Sequence, residues 1–256
     1  MSERLSHDTV PVQALTAVDR TDMLALMERC YEGVVPERFA ADLAGKQHVI
    51  MLRDVGSRAL AGFSTIALRE EPHHGRPARV LYSGDTVIHP DYWGQKVLEM
   101  AFGRFLVRQK LRRPWAPLYW LLLSGGFKTY LMLVRNFASC LPQRGEVASP
   151  TESAFLDAVC RRWFGDEYDP AQGTVRMKRH YRVRSGLCPV DARALANPDI
   201  AYFVERNPGH ADGSELACLA RVQLSDVARA FARIARRRLA GSGRRSSSPF
   251  GEGIET

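Results

Sequence analysis

Apolar positions in the first part of the chain recur with the spacings of strands and helices. Residues 10–15 are predicted to form a first strand, and Met23 and Met27 mark one face of a following helix. A second helix is predicted from Pro36, because proline suits a first helical turn, and it should end at Gly45. The chain is therefore expected to begin with one strand and two amphipathic helices.

Strand-like segments follow over residues 48–53, 59–68 and 78–89. The turn "DVGS" connects the first two, and the polar loop "EEPHHGRP" connects the last two. A helix is predicted over residues 95–111, ending before Pro114. The apolar run "PLYWLLL" is typical of a strand buried on both faces, and "GGFKTYLMLVRNF" predicts another helix. The predicted order to this point is β-α-α-β-β-β-α-β-α.

The second half of the chain has a less regular pattern. Ser149 to Glu152 has the form of a capping box, so a helix is predicted from there to Gly165. Strands are predicted over residues 200–207 and 216–223, on either side of the turn "PGHADG".

One junction carries a recognisable motif. "VIHPDYWGQKVL" leads from a predicted strand into a predicted helix. Val87, Tyr92 and Gly94 match the V-x-P-x-Y/W-R-G-x-G-x-G/A stretch of the GNAT superfamily of acyl-coenzyme A N-acyltransferases, and Pro90 stands in a shifted but similar setting. The order of elements is also similar, so the chain resembles this superfamily over about residues 10–139.

The resemblance implies an α/β (α+β) fold with a GNAT-like mixed, mostly antiparallel central sheet flanked by helices. The GNAT-like acyltransferase domain is expected over residues 1–223, with a helical insertion at about 145–195 and a closing hairpin over 200–223. A basic amphipathic helix over residues 224–239 and a disordered tail over 240–256 should follow.

The loop before the predicted helix is a candidate phosphate site. A helix that begins near Gly94 leaves its first amide N–H groups unpaired at the positive end of its dipole, where they suit phosphate oxygens. Trp93 replaces the arginine of the family motif, Lys96 its middle glycine and Leu98 its last small residue. Lys96 and Leu98 should narrow the approach of an anion, although Lys96 offers a cation in exchange. The alternative is a strand-to-helix turn that binds no ligand.

The resemblance implies an acyl-CoA co-substrate and a small-molecule amine or aminoacyl acceptor. Acyl-phosphopantetheine on an acyl carrier protein is a second hypothesis for the donor, because one phosphate needs fewer amides than a pyrophosphate and because such carrier proteins are acidic. The residues expected to bind the donor are Val87, Tyr92, Gly94, Gln95, Lys96, Val97, Leu98 and Ser124.

Two residues are candidates for proton transfer. Asp85 precedes the loop in "YSGDTVIH" and is a candidate base for the attacking amine; it could instead bind a substrate ammonium or make a structural hydrogen bond. Tyr130 lies in the helix after the buried strand, where the family commonly has a thiol-protonating tyrosine. The family's N-x-x-A-x-x-x-Y pattern is absent, so an ordinary half-buried tyrosine is the alternative.

Several other chemistries lack their motifs. His73 and His74 have no third ligand at metal spacing, and no metal is expected. The five cysteines are scattered without a C-x-x-C pair, which indicates neither a zinc site nor a disulfide framework and favours a reduced cytoplasmic location. Neither a G-x-x-x-x-G-K-[ST] loop nor a G-x-S-x-G motif occurs. The start of the chain does not have the pattern of a secretory signal.

The charge balance suggests a second class of function. The formal net charge is +8, which favours anionic partners, and much of the excess lies in "TVRMKRHYRVR" and "ARIARRRLAGSGRR". The alternative to an enzyme is therefore a non-catalytic GNAT-like domain that binds a membrane surface or nucleic acid through its basic C-terminal region.

Overall fold

A computed structural model describes residues 5–177, 182–183, 190–226, 228–229 and 232, with the backbone alone described at 182–183. The predicted basic helix over residues 224–239 falls largely outside this part of the chain, and the predicted tail over 240–256 falls wholly outside it. The helices and strands have the following bounds: β1 Leu5–Pro11, α1 Ala17–Cys30, β2 Tyr31–Glu32, α2 Pro36–Ala44, β3 His48–Asp54, β4 Leu60–His73, β5 Arg76–Ile88, α3 Val97–Arg112, β6 Leu118–Ser124, α4 Phe127–Asn136, β7 Cys140–Leu141, α5 Pro150–Phe164, β8 Tyr168–Asp169, β9 Thr174–Val175, β10 Arg182–Val183, α6 Ala192–Leu195, α7 Pro198–Arg206 and β11 Glu215–Arg221.

The main sheet has the strand order β1-β3-β4-β5-β6-β11-β9-β8, and β7 pairs with β11. Strands β5 and β6 are parallel. The other pairs in this sheet are antiparallel. The prediction of a mixed, mostly antiparallel central sheet flanked by helices is confirmed. The segment 145–195, predicted as a helical insertion, contains helix α5. It also adds the strands β8 and β9 to this sheet.

The two faces of the sheet bury different helices. Along β3, Ile50 and Leu52 belong to a core shared with α3, α4 and α7, whereas Val49 and Met51 face α1 and α2. Helix α5 packs on the β5, β6 and β11 part of the sheet, where Val159 is buried. This alternation is what a strand buried on both faces requires, because successive side chains point in opposite directions.

Strands β5 and β6 pair over only part of their length. Their parallel register runs from Arg79 opposite Leu118 to Ser83 opposite Leu122. Strand β5 continues to Ile88 in pairing with β4, while β6 continues to its own end. The parallel pairing therefore ends two residues before β6 does, and we call the place beyond Ser83 and Leu122 where β5 and β6 no longer pair the cleft.

The predicted strand over residues 200–207 is wrong, and so is the closing hairpin over 200–223. The segment forms helix α7 instead. The Asn197 side chain caps this helix by accepting a hydrogen bond from the Asp199 amide, and Pro198 suits its first turn. Phe203 is buried beside α4. A short apolar stretch of this length fits a strand as well as a helix, and the capping residue decides in favour of the helix here.

Two smaller predictions also need correction. The first strand lies at Leu5–Pro11 rather than over residues 10–15, because it pairs along the whole of β3. The capping box at Ser149 is absent, since the serine is the N-cap of α5 without a side-chain hydrogen bond. A capping box does form at the start of α1, between Thr16 and Asp19.

Replacing Gly62 with alanine should destabilise the fold. A methyl group built on Gly62 would lie 2.8 Å from the carbonyl oxygen of Val87, and this backbone cannot yield without moving β5. We expect the free energy of unfolding to fall by about 1–3 kcal/mol, as for other overpacked sites. Chemical denaturation of the purified variant measures this loss.

Gly126→Ala is the matched control, because a methyl group there meets no atom of the described residues within 4 Å and its φ is −142°. An equal loss of stability in both variants would contradict the close approach of β4 and β5.

Candidate functional site

The loop from β5 to α3 ends in a glycine that needs its special conformation. Gly94 has a φ of +84°, a region that side chains with a Cβ rarely adopt. Helix α3 begins at Val97 with Lys96 as its N-cap, so the prediction of a helix start near Gly94 or Gln95 is corrected by about a turn. The unpaired amides at the start of the helix therefore belong to Val97 and the residues that follow it.

Tyr92 and Asp54 hold this loop against the turn after β3. The Tyr92 hydroxyl donates to Asp54 Oδ2 at 2.9 Å. Asp54 Oδ1 accepts hydrogen bonds from the amides of Gly56 and Ser57. The Trp93 indole N–H donates to the Ile88 carbonyl at 2.8 Å and closes the other side of the loop. Tyr92, predicted as a donor-binding residue, thus has a structural partner of its own.

Lys96 and Leu98 occupy the positions at which the family motif has small residues. Lys96 Nζ lies 2.6 Å from Glu99 Oε1, and both side chains are more than one third exposed. Such a surface pair contributes little stability, so an arriving phosphate can compete for the lysine. Leu98 is partly buried against the core around α3. A methyl group built on Gly94 would have no atom of the described residues within 4 Å, apart from its chain neighbours.

The remaining predicted donor-binding residues lie near the end of β5, just before or at the start of α3, and at the end of β6. Val87 is buried against the core of α1 and α2. Ser124 is fully buried at the end of β6, and its hydroxyl donates to the Gly126 carbonyl at 2.9 Å. Through this hydrogen bond Ser124 stabilises the turn from β6 to α4.

Gln95 immediately precedes the N-cap of α3, and its Oε1 is buried without a hydrogen bond to the described residues.

Tyr130 is part of the core that α4 and α7 share. Its side chain is fully buried against Tyr202 and Phe203, and its hydroxyl donates to the Pro142 carbonyl at 3.2 Å. Burial raises the pKa of Tyr130. The geometry gives this tyrosine a packing function, and its role as a thiol-protonating acid stays a prediction.

Asp85 stands where the backbone of β5 is irregular. The pairing of β4 with β5 shifts register between Ser64 and Ile66, which leaves Gly84 and Asp85 opposite Thr65. A bulge of this kind bends the strand and redirects its side chains. It coincides with the point at which β5 leaves β6, so Asp85 lies at the opening of the cleft.

Tyr31 and a second carboxylate lie close to Asp85. The Tyr31 hydroxyl donates to the Thr86 carbonyl at 3.2 Å. Burial raises the pKa of Tyr31, and the negative charges of Asp85 and Glu215 raise it further. Glu215 Oε1 would lie 3.4 Å from a methyl group built on Gly125, which locates this carboxylate at the end of β6. The negative charges of both carboxylates therefore act on the same phenol.

Lys46 and Thr65 border the same opening. A methyl group built on Gly84 would lie 2.8 Å from Lys46 Cε and 2.5 Å from Thr65 Oγ1. Lys46 Nζ is 5.3 Å from the centroid of the Tyr82 ring. Thr65 is 1% exposed, and its hydroxyl makes no hydrogen bond with the part of the chain that the structure describes. A buried hydroxyl in this state is costly and is ready to accept or donate a hydrogen bond.

We call Tyr31, Lys46, Asp85 and Glu215 the cleft cluster. The sequence pointed to Asp85 alone, because the other members are far apart in the chain and only the tertiary fold brings them together: α1 packs on β4 and β5, and β6 lies between β5 and β11 in the sheet. For Glu215 one signal existed: a glutamate opens the otherwise apolar strand "ELACLA". A charged residue at the end of a buried strand is a candidate functional residue, because burying a charge without a partner is costly.

The described residues contain no group of three or more histidine, cysteine, aspartate or glutamate side chains arranged to hold a metal ion. Among their helices, none combines the length and the apolar character needed to cross a membrane.

Comparisons with known proteins give similarities of fold. No protein-family model matches the chain, and no curated protein matches it. A GNAT family N-acetyltransferase from Escherichia coli in complex with CoA is 13% identical, with 54% of this chain and 69% of that chain covered and a TM-score of 0.38. A ribosomal-protein-alanine N-acetyltransferase from Brucella melitensis is 16% identical, with 57% and 98% covered and a TM-score of 0.40.

Coverage differs among the matched structures. A conserved protein of unknown function from Enterococcus faecalis is 14% identical, with 50% of this chain covered and a TM-score of 0.40, and the chain spans only 32% of that protein. The likeness to all three structures therefore concerns the fold of about half of this chain.

Asp54 makes the stability of the loop depend on pH. Hydrogen bonds from the Ser57 amide and then from the Tyr92 hydroxyl hold the pKa of Asp54 below its ordinary value. The stabilisation is complete above the unfolded pKa, near pH 4, and is lost as the pH falls through the lower folded pKa. We expect the free energy of unfolding to fall less steeply below about pH 4 in Asp54→Asn than in the wild type.

Denaturation curves recorded from neutral to acidic pH measure this difference, and Asp166→Asn, at an exposed aspartate, serves as the control. Identical acid dependence in the wild type and Asp54→Asn would show that the Asp54 interactions are not formed in solution.

Proposed function

We propose that the protein is an N-acyltransferase that moves an acyl group from a pantetheine thioester to an amine. The observation that carries this proposal is the separation of β5 and β6 beyond Ser83 and Leu122, directly before the Gly94 loop that opens α3. Beyond this point β5 no longer pairs with β6, and we expect backbone N–H groups on that edge of β5 to pair with the carbonyls of a pantetheine arm, while the Gly84 and Thr86 carbonyls accept hydrogen bonds from hydroxyl groups of the chain. The start of α3 offers amides to its phosphate.

Acyl-CoA and acyl-phosphopantetheine on a carrier protein are both compatible donors. The loop offers one side-chain cation, Lys96, and that cation is shared with Glu99. The space beside Gly94 is open, since no atom of the described residues other than its chain neighbours lies within 4 Å of a methyl group built there. These features support binding of at least one phosphate group, and they distinguish neither donor from the other.

The cleft cluster supports an amine as the acceptor. Asp85 and Glu215 bring two negative charges to the opening, against one positive charge from Lys46. A cationic acceptor would be attracted to this excess of negative charge. An aspartate or glutamate beside the bound amine can remove its proton before attack.

The reaction follows from these positions. The amine gives a proton to Asp85, its nitrogen forms a bond with the thioester carbonyl carbon, and the carbon–sulfur bond breaks. The thiolate takes up a proton as it leaves. Tyr31 is a candidate donor because its hydroxyl lies beside β5 in the cluster, where it donates to the Thr86 carbonyl. Tyr130, the other candidate, has its hydroxyl bound to the Pro142 carbonyl.

A second candidate function is a non-catalytic domain that binds an anionic partner. It is supported by the formal net charge of +8 and by exposed arginines on α3, at positions 104, 108 and 112. The basic C-terminal region that first suggested it falls mostly outside the described residues. Binding of a pantetheine donor at the Gly94 loop separates the two candidates.

Gly94→Leu should abolish binding of the donor. Gly94 and Gly75 share a positive φ, +84° and +72°, and a methyl group at either meets no atom of the described residues within 4 Å. Both leucine variants should therefore lose similar stability, roughly 1 kcal/mol or more from the backbone conformation. Only Gly94→Leu should also lose the rise in melting temperature that acyl-CoA gives the wild type.

Thermal unfolding with and without CoA, acetyl-CoA and a long-chain acyl-CoA makes this comparison. The enzyme proposal fails if none of these compounds, nor an acyl carrier protein, stabilises the wild type.

Asp85→Asn should lower the rate of acyl transfer by about 10²–10⁴-fold, because the amide cannot accept the proton of the amine. Thiol release from acyl-CoA in the presence of a panel of primary amines measures the rate. Tyr130→Phe is the companion variant: its hydroxyl is bound within the core, so we expect less than about a threefold change, within the effect of one neutral hydrogen bond. A large loss in Tyr130→Phe with an active Asp85→Asn would reverse these assignments.

A further inference from the structure

Helix α3 carries a row of arginines on its exposed side. Arg104, Arg108 and Arg112 are exposed and spaced by four residues, so they follow one line of about 12 Å along the helix. They line a shallow groove together with Val107 and Leu111. A ligand that binds in this groove must therefore be anionic and must also contact the aliphatic side chains of Val107 and Leu111.

The positive charge of this row is not neutralised by the described residues, none of whose carboxylates forms an ion pair with Arg104, Arg108 or Arg112. Arg104 Nη1 lies 3.0 Å from His7 Nε2. Burial lowers the pKa of His48, and the charges of Arg112 and Arg108 lower it further, so the row also acts on its neighbours.

Large apolar side chains are exposed at the end of the row. Leu111 is 59% exposed and Trp115, just beyond the helix, is 90% exposed. Arg113 in the same region pairs with Glu70 and does not extend the row. An exposed tryptophan next to guanidinium groups is typical of surfaces that enter the headgroup layer of a bilayer, where the ring is partly buried and the cations contact phosphate.

We infer that this face of α3 docks on an anionic lipid surface. The guanidinium groups bind lipid phosphates, for which their planar donor fork is suited. Leu111 and Trp115 enter the interface between headgroups and acyl chains. Nucleic acid would match the arginines and leave Leu111 without a partner. An acidic protein would need a surface shaped to the groove, whereas a bilayer accommodates the exposed side chains as they stand.

The test is binding of the full chain to vesicles of phosphatidylcholine, with and without phosphatidylglycerol, measured by co-sedimentation. Each arginine near the surface contributes roughly a fivefold factor in partitioning, so Arg108→Gln/Arg112→Gln should weaken binding by about 25-fold. Trp115→Ala should weaken it as well. Arg76→Gln/Arg193→Gln removes the same charge from exposed positions elsewhere and should have a much smaller effect.

Added salt should weaken binding of the wild type, because surface charges are screened. The inference is overturned if the α3 variants bind vesicles as well as the wild type, since the basic C-terminal segment would then account for the binding. It is also overturned if duplex DNA or polyglutamate binds this face more tightly than the anionic vesicles do. Melting temperatures of the variants confirm that they are folded, and donor binding at the Gly94 loop is scored separately.

Discussion

The partial pairing of β5 with β6 is the constraint on which the candidate site depends. Five residue pairs, from Arg79–Leu118 to Ser83–Leu122, hold the strands together, and the bulge opposite Thr65 then turns β5 away. Because β4 keeps its pairing with β5 to Ile88, the sheet remains continuous on one side while it opens on the other. At this opening the Thr86 carbonyl accepts a hydrogen bond from the Tyr31 hydroxyl, and the Gly84 carbonyl accepts one from the Thr86 hydroxyl. The proposed binding of a pantetheine donor rests on this opening together with the glycine loop and the helix start that follow β5 in the chain.

Charge is distributed unevenly around this opening. The cleft cluster combines two carboxylates, a lysine and a tyrosine at the mouth between β5, β6 and β11. The arginine row lies on the exposed side of α3, far along the helix from its first turn. Under the two proposals, a cationic acceptor and an anionic surface would therefore bind at different places on one chain of positive net charge.

Long periodic segments made most of the fold predictable from the sequence. The buried strand β6 and the helices α1 and α3 follow from apolar spacing, and a glycine at 94 with positive φ agrees with the motif that suggested a phosphate loop. Helix α7, at residues 198–206, could not be predicted in this way. The spacing of its apolar residues fits a strand as well as a helix, and the Asn197 cap decides in favour of the helix. Of the cleft cluster only Asp85 was foreseen, since residues 31, 46 and 215 meet it through tertiary pairing alone. The partners of Tyr92 and Tyr130 could not be read from a pattern either.

Hydrogen exchange of backbone amides, with and without acyl-CoA, tests the central claim most directly. If the thioester donor binds in the cleft, the amides of residues 84–88 and those in the first turn of α3 should exchange more slowly when it is present, because they would pair with pantetheine and phosphate. Unchanged exchange in both segments, or protection confined to the arginine row, would contradict the account.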